Sequence, residues 1–184
     1  MSRRVVYNTA ATLDGYIADA AGSLDWLFAV DNDMQPDIES FMDTTGALVS
    51  GSTTYEWVLE HEDLIAHPEK WSGYYGGRPW FVFTSRELPV PEGADVRFVN
   101  GTPEELIEAI GAAACDQQIW IFGGGDLVGQ FFEAGLLAEV QVSVTPVVLG
   151  AGAPLFTTRI ESDRLRLERV EHFGQFAHLT YSVT

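Results

Sequence analysis

The residue pattern predicts an α/β fold, with a mostly parallel mixed sheet, helices on both faces, and an antiparallel edge made by the C-terminal strands. Strand and helix patterns alternate up to residue 137, the order that builds parallel βαβ units. Strand patterns alone follow, and consecutive strands without crossovers pair antiparallel. Between the two regimes, residues 117–137 hold a short apolar run, three glycines and a helix pattern in direct succession.

Residues 5–12 read as the first strand, turned at its end by Leu13-Asp14-Gly15. Residues 16–35 carry no clean period, and a loop of that length is usually functional or mobile. Pro36 suits the first turn of a short helix reaching about Thr44, with Ile38, Phe41 and Met42 on one face. Residues 47–50 form a second buried strand that ends at Gly51. Thr53-x-x-Glu56 has the form of a capping box, which predicts a helix capped by Thr53 and running to about Glu60. Residues 61–78 read as a polar, glycine-rich loop containing Trp71, Tyr74 and Tyr75, aromatics suited to a core, an interface or a ring-stacking platform.

Residues 80–84 and 96–99 give the third and fourth strands, the third followed by Ser85-Arg86. Thr102-Pro103-Glu104-Glu105 combines a capping box with proline at the first helical position. Leu106, Ile107, Ile110 and Ala114 form the buried side of that helix, and Cys115 reads as a small core residue at its end. Residues 119–122 are an apolar run suited to a strand buried on both faces. After Gly123, Gly124 and Gly125, the residues Leu127, Val128, Phe131 and Phe132 make a helical stripe closed by Gly135 as a C-terminal cap. Val140, Val142 and Val144 alternate in a strand, and two antiparallel strands around Phe173-Gly174 close the chain.

At 184 residues the chain is expected to form a single domain, residues 1–184, with an ordinary globular balance of 46% hydrophobic and 20% charged residues. The net charge of −17 would repel nucleic acid and anionic membrane. The only cysteine, Cys115, excludes an internal disulfide and a cysteine-based zinc site. His61, His67, His172 and His178 have no metal-ligand spacing, so no metal is expected. With neither a signal-peptide hydrophobic region nor an apolar run approaching a membrane span, the expected location is the cytoplasm.

The chemistry concentrates where strands meet helices through bare backbone. Free N–H groups and the positive end of the helix dipole attract phosphate, and missing Cβ atoms let a pyrophosphate approach closely. Gly123 to Gly125 make one such junction, and Gly51-Ser52-Thr53-Thr54 make a second. The G-x-G-x-x-G dinucleotide fingerprint is not met, because Val128 stands where its last glycine belongs. A tight strand-to-helix turn without a ligand remains the alternative at the glycines, as a plain cap does at Thr53.

Five motifs, each at a predicted strand end, together resemble the dihydrofolate reductase superfamily. The chain is most similar to the reductase domain of bifunctional riboflavin-biosynthesis enzymes and its stand-alone relatives. The motifs are Leu13-Asp14-Gly15-x-Ile17-Ala18, Gly51-x-x-Thr54-Tyr55-Glu56, Phe83-Thr84-Ser85-Arg86, Phe122-Gly123-Gly124-Gly125 and Thr145-Pro146-Val147-Val148-Leu149-Gly150-x-Gly152. The resemblance implies a dihydrofolate-reductase-like three-layer sandwich that binds NADPH across the C-terminal ends of the sheet.

It assigns Gly51, Ser52, Thr53 and Thr54 to the pyrophosphate turn, and Thr84, Ser85 and Arg86 to the adenosine phosphate. Gly123-Gly124 would form a tight cis peptide, and Gly125, Asp126 and Leu127 would lie along the cofactor. Ser52 stands where relatives commonly carry Arg or Lys, which leaves charge recognition to Arg86 and predicts a modest preference for NADPH over NADH. For catalysis, the resemblance points to Asp37 as the acid, Thr145 as its late-strand partner and Asp14 as the alternative acid. The expected activity is reduction of a small pterin-like or ring-opened pyrimidine-like substrate by a homodimer. The competing reading is a nucleotide-binding protein of the same fold without turnover.

Overall fold

Short runs of valine, isoleucine and aromatic residues form the strands, and a computed structural model describes them within residues 4–31 and 38–184. The N-terminal half contains β1 (Val5–Thr12), β2 (Tyr16–Ala18), α1 (Asp25–Phe28), α2 (Ile38–Asp43), β3 (Thr45–Gly51) and α3 (Ser52–His61). There follow α4 (Glu69–Tyr75), β4 (Trp80–Phe83), β5 (Val96–Val99), α5 (Pro103–Ala113), β6 (Gln118–Gly123) and α6 (Gly125–Glu133). The chain closes with β7 (Leu137–Thr145), β8 (Ala153–Pro154), β9 (Leu165–Phe173) and β10 (Phe176–Val183).

The main sheet has eight strands in the order β5-β4-β3-β6-β1-β7-β10-β9. Every pairing from β5 to β7 is parallel, and β7-β10 and β10-β9 are antiparallel. This is the mixed sheet with an antiparallel C-terminal edge that the order of patterns predicts. Strands β3, β4, β5, β6 and β1 thus all end on the same side, where the loops and helix N-termini gather.

Alternation along β6 explains the layers. Ile119 and Ile121 enter a core cluster with Tyr7, Ile110, Val128 and Phe131, while Trp120 enters a second with Leu48, Tyr55, Trp71 and Trp80. Helices α5 and α6 therefore cover one face, and α3 and α4 the other. Each fully buried large side chain contributes about 1.5–3 kcal/mol, and Trp80, Tyr7, Tyr55 and Phe131 are all below 2% exposed. Their polar atoms are satisfied: the Trp80 indole donates to Ser50 Oγ at 2.8 Å and the Tyr55 hydroxyl to the Pro89 carbonyl at 2.7 Å. Arg78 ties the entry to β3 by donating to the carbonyls of Thr45 and Met42, both at 2.7 Å.

Helix ends follow local chemistry where that chemistry is self-contained. The Thr102 capping box forms, with the Thr102 amide donating to Glu105 Oε2 at 2.9 Å. Gly135, at φ +67°, ends α6: its amide donates to Phe132 and that of Leu136 to Phe131, the paired bonds of a Schellman motif.

Four expectations are corrected. Helix α3 starts at Ser52 with Gly51 as its N-cap and no side-chain cap, so Thr53 lies inside the first turn and Glu56 is not part of a capping box. Residues 61–78 contain α4, and its Trp71 and Tyr75 are buried in the second core cluster, with Trp71 5.6 Å and Tyr75 5.1 Å from the Trp80 ring. Ser72 and Gly73 interrupt its apolar stripe and hide the helix from a periodicity reading. Cys115 is exposed, because the chain leaves α5 through left-handed conformations at Cys115 and Asp116. The stretch 16–35 is partly regular, with β2 paired to β8 and α1 docked by stacking of Phe28 on His61 at 4.9 Å. Pro36 and Asp37 lie outside the described residues.

Candidate functional site

The two strand-to-helix junctions come together. A cleft of about 410 Å³ opens at the C-terminal ends of β3, β4 and β5, between the first turns of α3 and α6. Gly51, Ser52, Thr53 and Thr54 line it from one side and Gly124, Asp126 and Leu127 from the other, with Thr84 and Ser85 between. Neither α3 nor α6 has a side-chain N-cap bond, so the leading amides of two helices are left without such a partner at one opening. Amides in that state, at the positive ends of two helix dipoles, suit an anion.

The three glycines occupy three different environments. A Cβ on Gly124 would meet nothing within 4 Å, so this residue keeps the cleft open. A Cβ on Gly123 would lie 3.0 Å from Thr54 Oγ1, so its absence lets the first turn of α3 close on β6. A Cβ on Gly125 would lie 2.5 Å from the Pro154 carbonyl and 2.8 Å from that of Leu155. Gly125 is therefore a packing glycine beneath the arch around β8, and neither it nor Gly123 is among the cleft-lining residues. The expected cis peptide is corrected: no cis bond occurs among the described residues, and Gly123-Gly124 is trans.

Arg86 follows the lining residue Ser85, yet its guanidinium is turned onto α3. It donates to Glu56 through Nη1 at 3.0 Å and Nη2 at 2.6 Å, a two-point pair with both side chains substantially exposed. Hydrogen bonding to Glu56 raises the Arg86 pKa further, so the cation is permanent. No Lys or Arg lines the cleft among the described residues, and the charged lining residue is Asp126, which accepts from Gln130 Nε2 at 3.0 Å.

Asp14 and Thr145 are not among the residues that line this cleft. Asp14 accepts from Thr12 Oγ1 at 2.6 Å and from the amides of Gly150 at 2.7 Å and Leu149 at 3.2 Å. The Thr12 hydroxyl foremost, and then these amides, hold its carboxyl below the usual carboxylate range. A carboxylate so occupied is a clamp between two turns and a poor proton donor. Thr145 is buried at the end of β7 opposite Thr12, with its hydroxyl donating to the Ala11 carbonyl at 3.2 Å. Asp37 lies outside the described residues.

Sequence reasoning assigned no site role to Phe83, Val99, Asn100, Gly101 or Gln130, which complete the lining. The signal for Val99, Asn100 and Gly101 was present: Asn100-Gly101 follows a strand on the same side of a parallel sheet as the other lining turns. Gln130 sits one helical turn after Asp126, a position that only the docking of α6 brings to the opening.

Comparison with known proteins is consistent with this geometry. The family model described as the RibD C-terminal domain matches residues 3–179. The uncharacterized protein YwjB of Bacillus subtilis (strain 168) is 31% identical over 181 residues, 98% of each chain. A crystal structure from Shewanella sp. PV-4, of a protein named for riboflavin biosynthesis, superposes with a TM-score of 0.78 at 28% identity, covering 99% of both chains. Dihydrofolate reductase from Enterococcus faecalis, complexed with NADP(H), shares the fold at 17% identity with a TM-score of 0.57, over 100% of this chain and 98% of that one.

Proposed function

Because the chain belongs to the RibD C-terminal domain family, we propose that it is a reductase that binds NADPH in the cleft between α3 and α6. Its substrate on this reading is a small pterin-like or ring-opened pyrimidine-like molecule. The observation that carries the proposal is the convergence of two helix N-termini without side-chain caps on one opening, with Gly124 leaving space where any side chain would intrude. That cradle fits a pyrophosphate. Ser52, Thr53 and Thr54 offer hydroxyls and first-turn amides to it, and Gly124 offers a bare backbone from the other side. Ser85 and Arg86 adjoin the place where an adenosine phosphate would lie, as the resemblance to dihydrofolate reductases implies.

When bound, the nicotinamide supplies a hydride for an electron-poor carbon of a C=N or C=O group. The protein's own part is to bind, orient and exclude water. The proton for the heteroatom is assigned to Asp37 on the resemblance, since Asp14 is committed to the clamp at residues 149–150. No described helix is long and apolar enough to cross a membrane.

The test is direct. Purified protein is titrated with NADPH by fluorescence, and nicotinamide oxidation is then followed with a dihydropterin and with a ring-opened ribosylaminopyrimidine. Oxidation matched mole for mole by reduced product is the expected result with one of the two, and Asp37→Asn should slow it roughly a hundredfold with little change in NADPH affinity. Tight binding without oxidation by either class would replace the reductase with a nucleotide-binding protein of the same fold.

A further inference from the structure

We propose that Glu56 is a specificity-setting residue, which holds the Arg86 guanidinium against α3 and so withholds from a 2′-phosphate the cation that adjoins the cleft lining in sequence. This rests on the reading of the cleft as a nicotinamide-dinucleotide site. It adds that the site discriminates weakly between NADPH and NADH, and that one carboxylate is the reason.

The argument begins from scarcity. The chain has ten Lys and Arg residues against twenty-seven Asp and Glu. Among the described residues none of those ten lines the cleft, and Arg86 alone is next in sequence to a residue that does. Thr84 sets the turn that carries it, accepting the Arg86 amide on Oγ1 at 3.0 Å. Both Glu56 oxygens engage the side chain that leaves this turn, at 3.0 and 2.6 Å.

A 2′-phosphate offers a pair of acceptor oxygens, as a carboxylate does, and competes for the same fork of donors. To bind, it must draw Arg86 away from Glu56 or share it, with the Glu56 charge repelling it at short range. The pair is exposed, at 54% for Arg86 and 42% for Glu56. Solvent screening makes such a pair a modest competitor and not an absolute block. Ser52 offers no second cation on the adjoining turn.

The experiment is a binding measurement, independent of turnover. NADPH and NADH are titrated by calorimetry into the wild type, Glu56→Gln, Arg86→Ala and the double variant. In the wild type the ratio of affinities should lie below about tenfold. Glu56→Gln should tighten NADPH by roughly tenfold, the scale of one charge-assisted contact, and leave NADH unchanged. The double variant should lose that gain entirely, which separates release of Arg86 from a general lowering of negative charge. Both side chains are exposed, so all variants should melt near the wild type. An unchanged ratio in Glu56→Gln overturns the inference, as does equal tightening of both cofactors, or a wild-type preference beyond a hundredfold. If the wild type binds neither cofactor, the cofactor reading itself fails and the inference with it.

Discussion

The two junctions that frame the cleft do the same task with opposite means. At the β3–α3 junction one glycine is followed by three hydroxyl residues, Ser52, Thr53 and Thr54, each lining the opening. At the β6–α6 junction three glycines follow one another and no side chain donates. The first junction contributes chemistry and the second contributes room. Of the three glycines, only Gly124 leaves its room to the cleft. Gly123 gives space to Thr54 and Gly125 gives it to the carbonyls of Pro154 and Leu155. A run of identical residues thus serves three neighbours.

The largest expected effect tests that division. Gly124→Val should weaken NADPH at least about a hundredfold, comparable to losing more than one charge-assisted hydrogen bond, while the melting temperature stays close to wild type. Gly125→Ala should do the reverse. Its added methyl meets backbone carbonyls, which cannot rotate away as a side chain would. Overpacking of that kind costs roughly 1–3 kcal/mol, a loss of about 2–4 °C in Tm for each kcal/mol in a chain of this size. Thermal melts and cofactor titrations on the two variants suffice. If Gly124→Val melts early and Gly125→Ala does not, the division is wrong.

A smaller effect probes the other junction. Thr54→Val keeps the shape that packs on Gly123 but removes the hydroxyl. NADPH affinity should fall about three- to tenfold, the range of one neutral hydrogen bond, with stability nearly unchanged. A loss as large as that of Gly124→Val would mean that the hydroxyls and not the open backbone dominate binding.

The smallest effect concerns support from outside the cleft. Asp14 clamps the turn at Leu149 and Gly150, which leads into the arch packed over Gly125. Its folded pKa lies below the ordinary 3.8, so its stabilisation is full above the unfolded value and disappears as pH falls through the lower folded value. Asp14→Ala should therefore melt a few degrees below wild type at neutral pH. That gap should close under acid conditions below the ordinary carboxyl range. A gap that persists there would mean the clamp works through packing and not through charge.

Much of this architecture was legible residue by residue. The bounds of β1 and β5 match the strands read at residues 5–12 and 96–99, and the start of α5 follows from Thr102, Pro103 and Glu105, because the groups that decide them are adjacent in the chain. Both junctions were legible for the same reason, as small residues between a strand and a helix. Helix α4 was not: with Ser72 and Gly73 in its middle, it is held by Trp71 and Tyr75 packing on Trp80 and not by an unbroken apolar stripe. Nor was the fate of Glu56, whose spacing from Thr53 imitates a capping box while its carboxylate binds an arginine thirty residues away.

The sequence by itself determined the alternation of elements, hence a parallel sheet with an antiparallel edge, and it determined where bare backbone meets a helix. Those properties depend on propensity, period and capping within a few residues. Only the tertiary structure decided which glycine opens onto space, whether Arg86 is turned to the cleft or to Glu56, and that Asp14 is a clamp. Each of these is a contest between groups far apart in the chain, and distance in space, which no local pattern encodes, decides which contact forms.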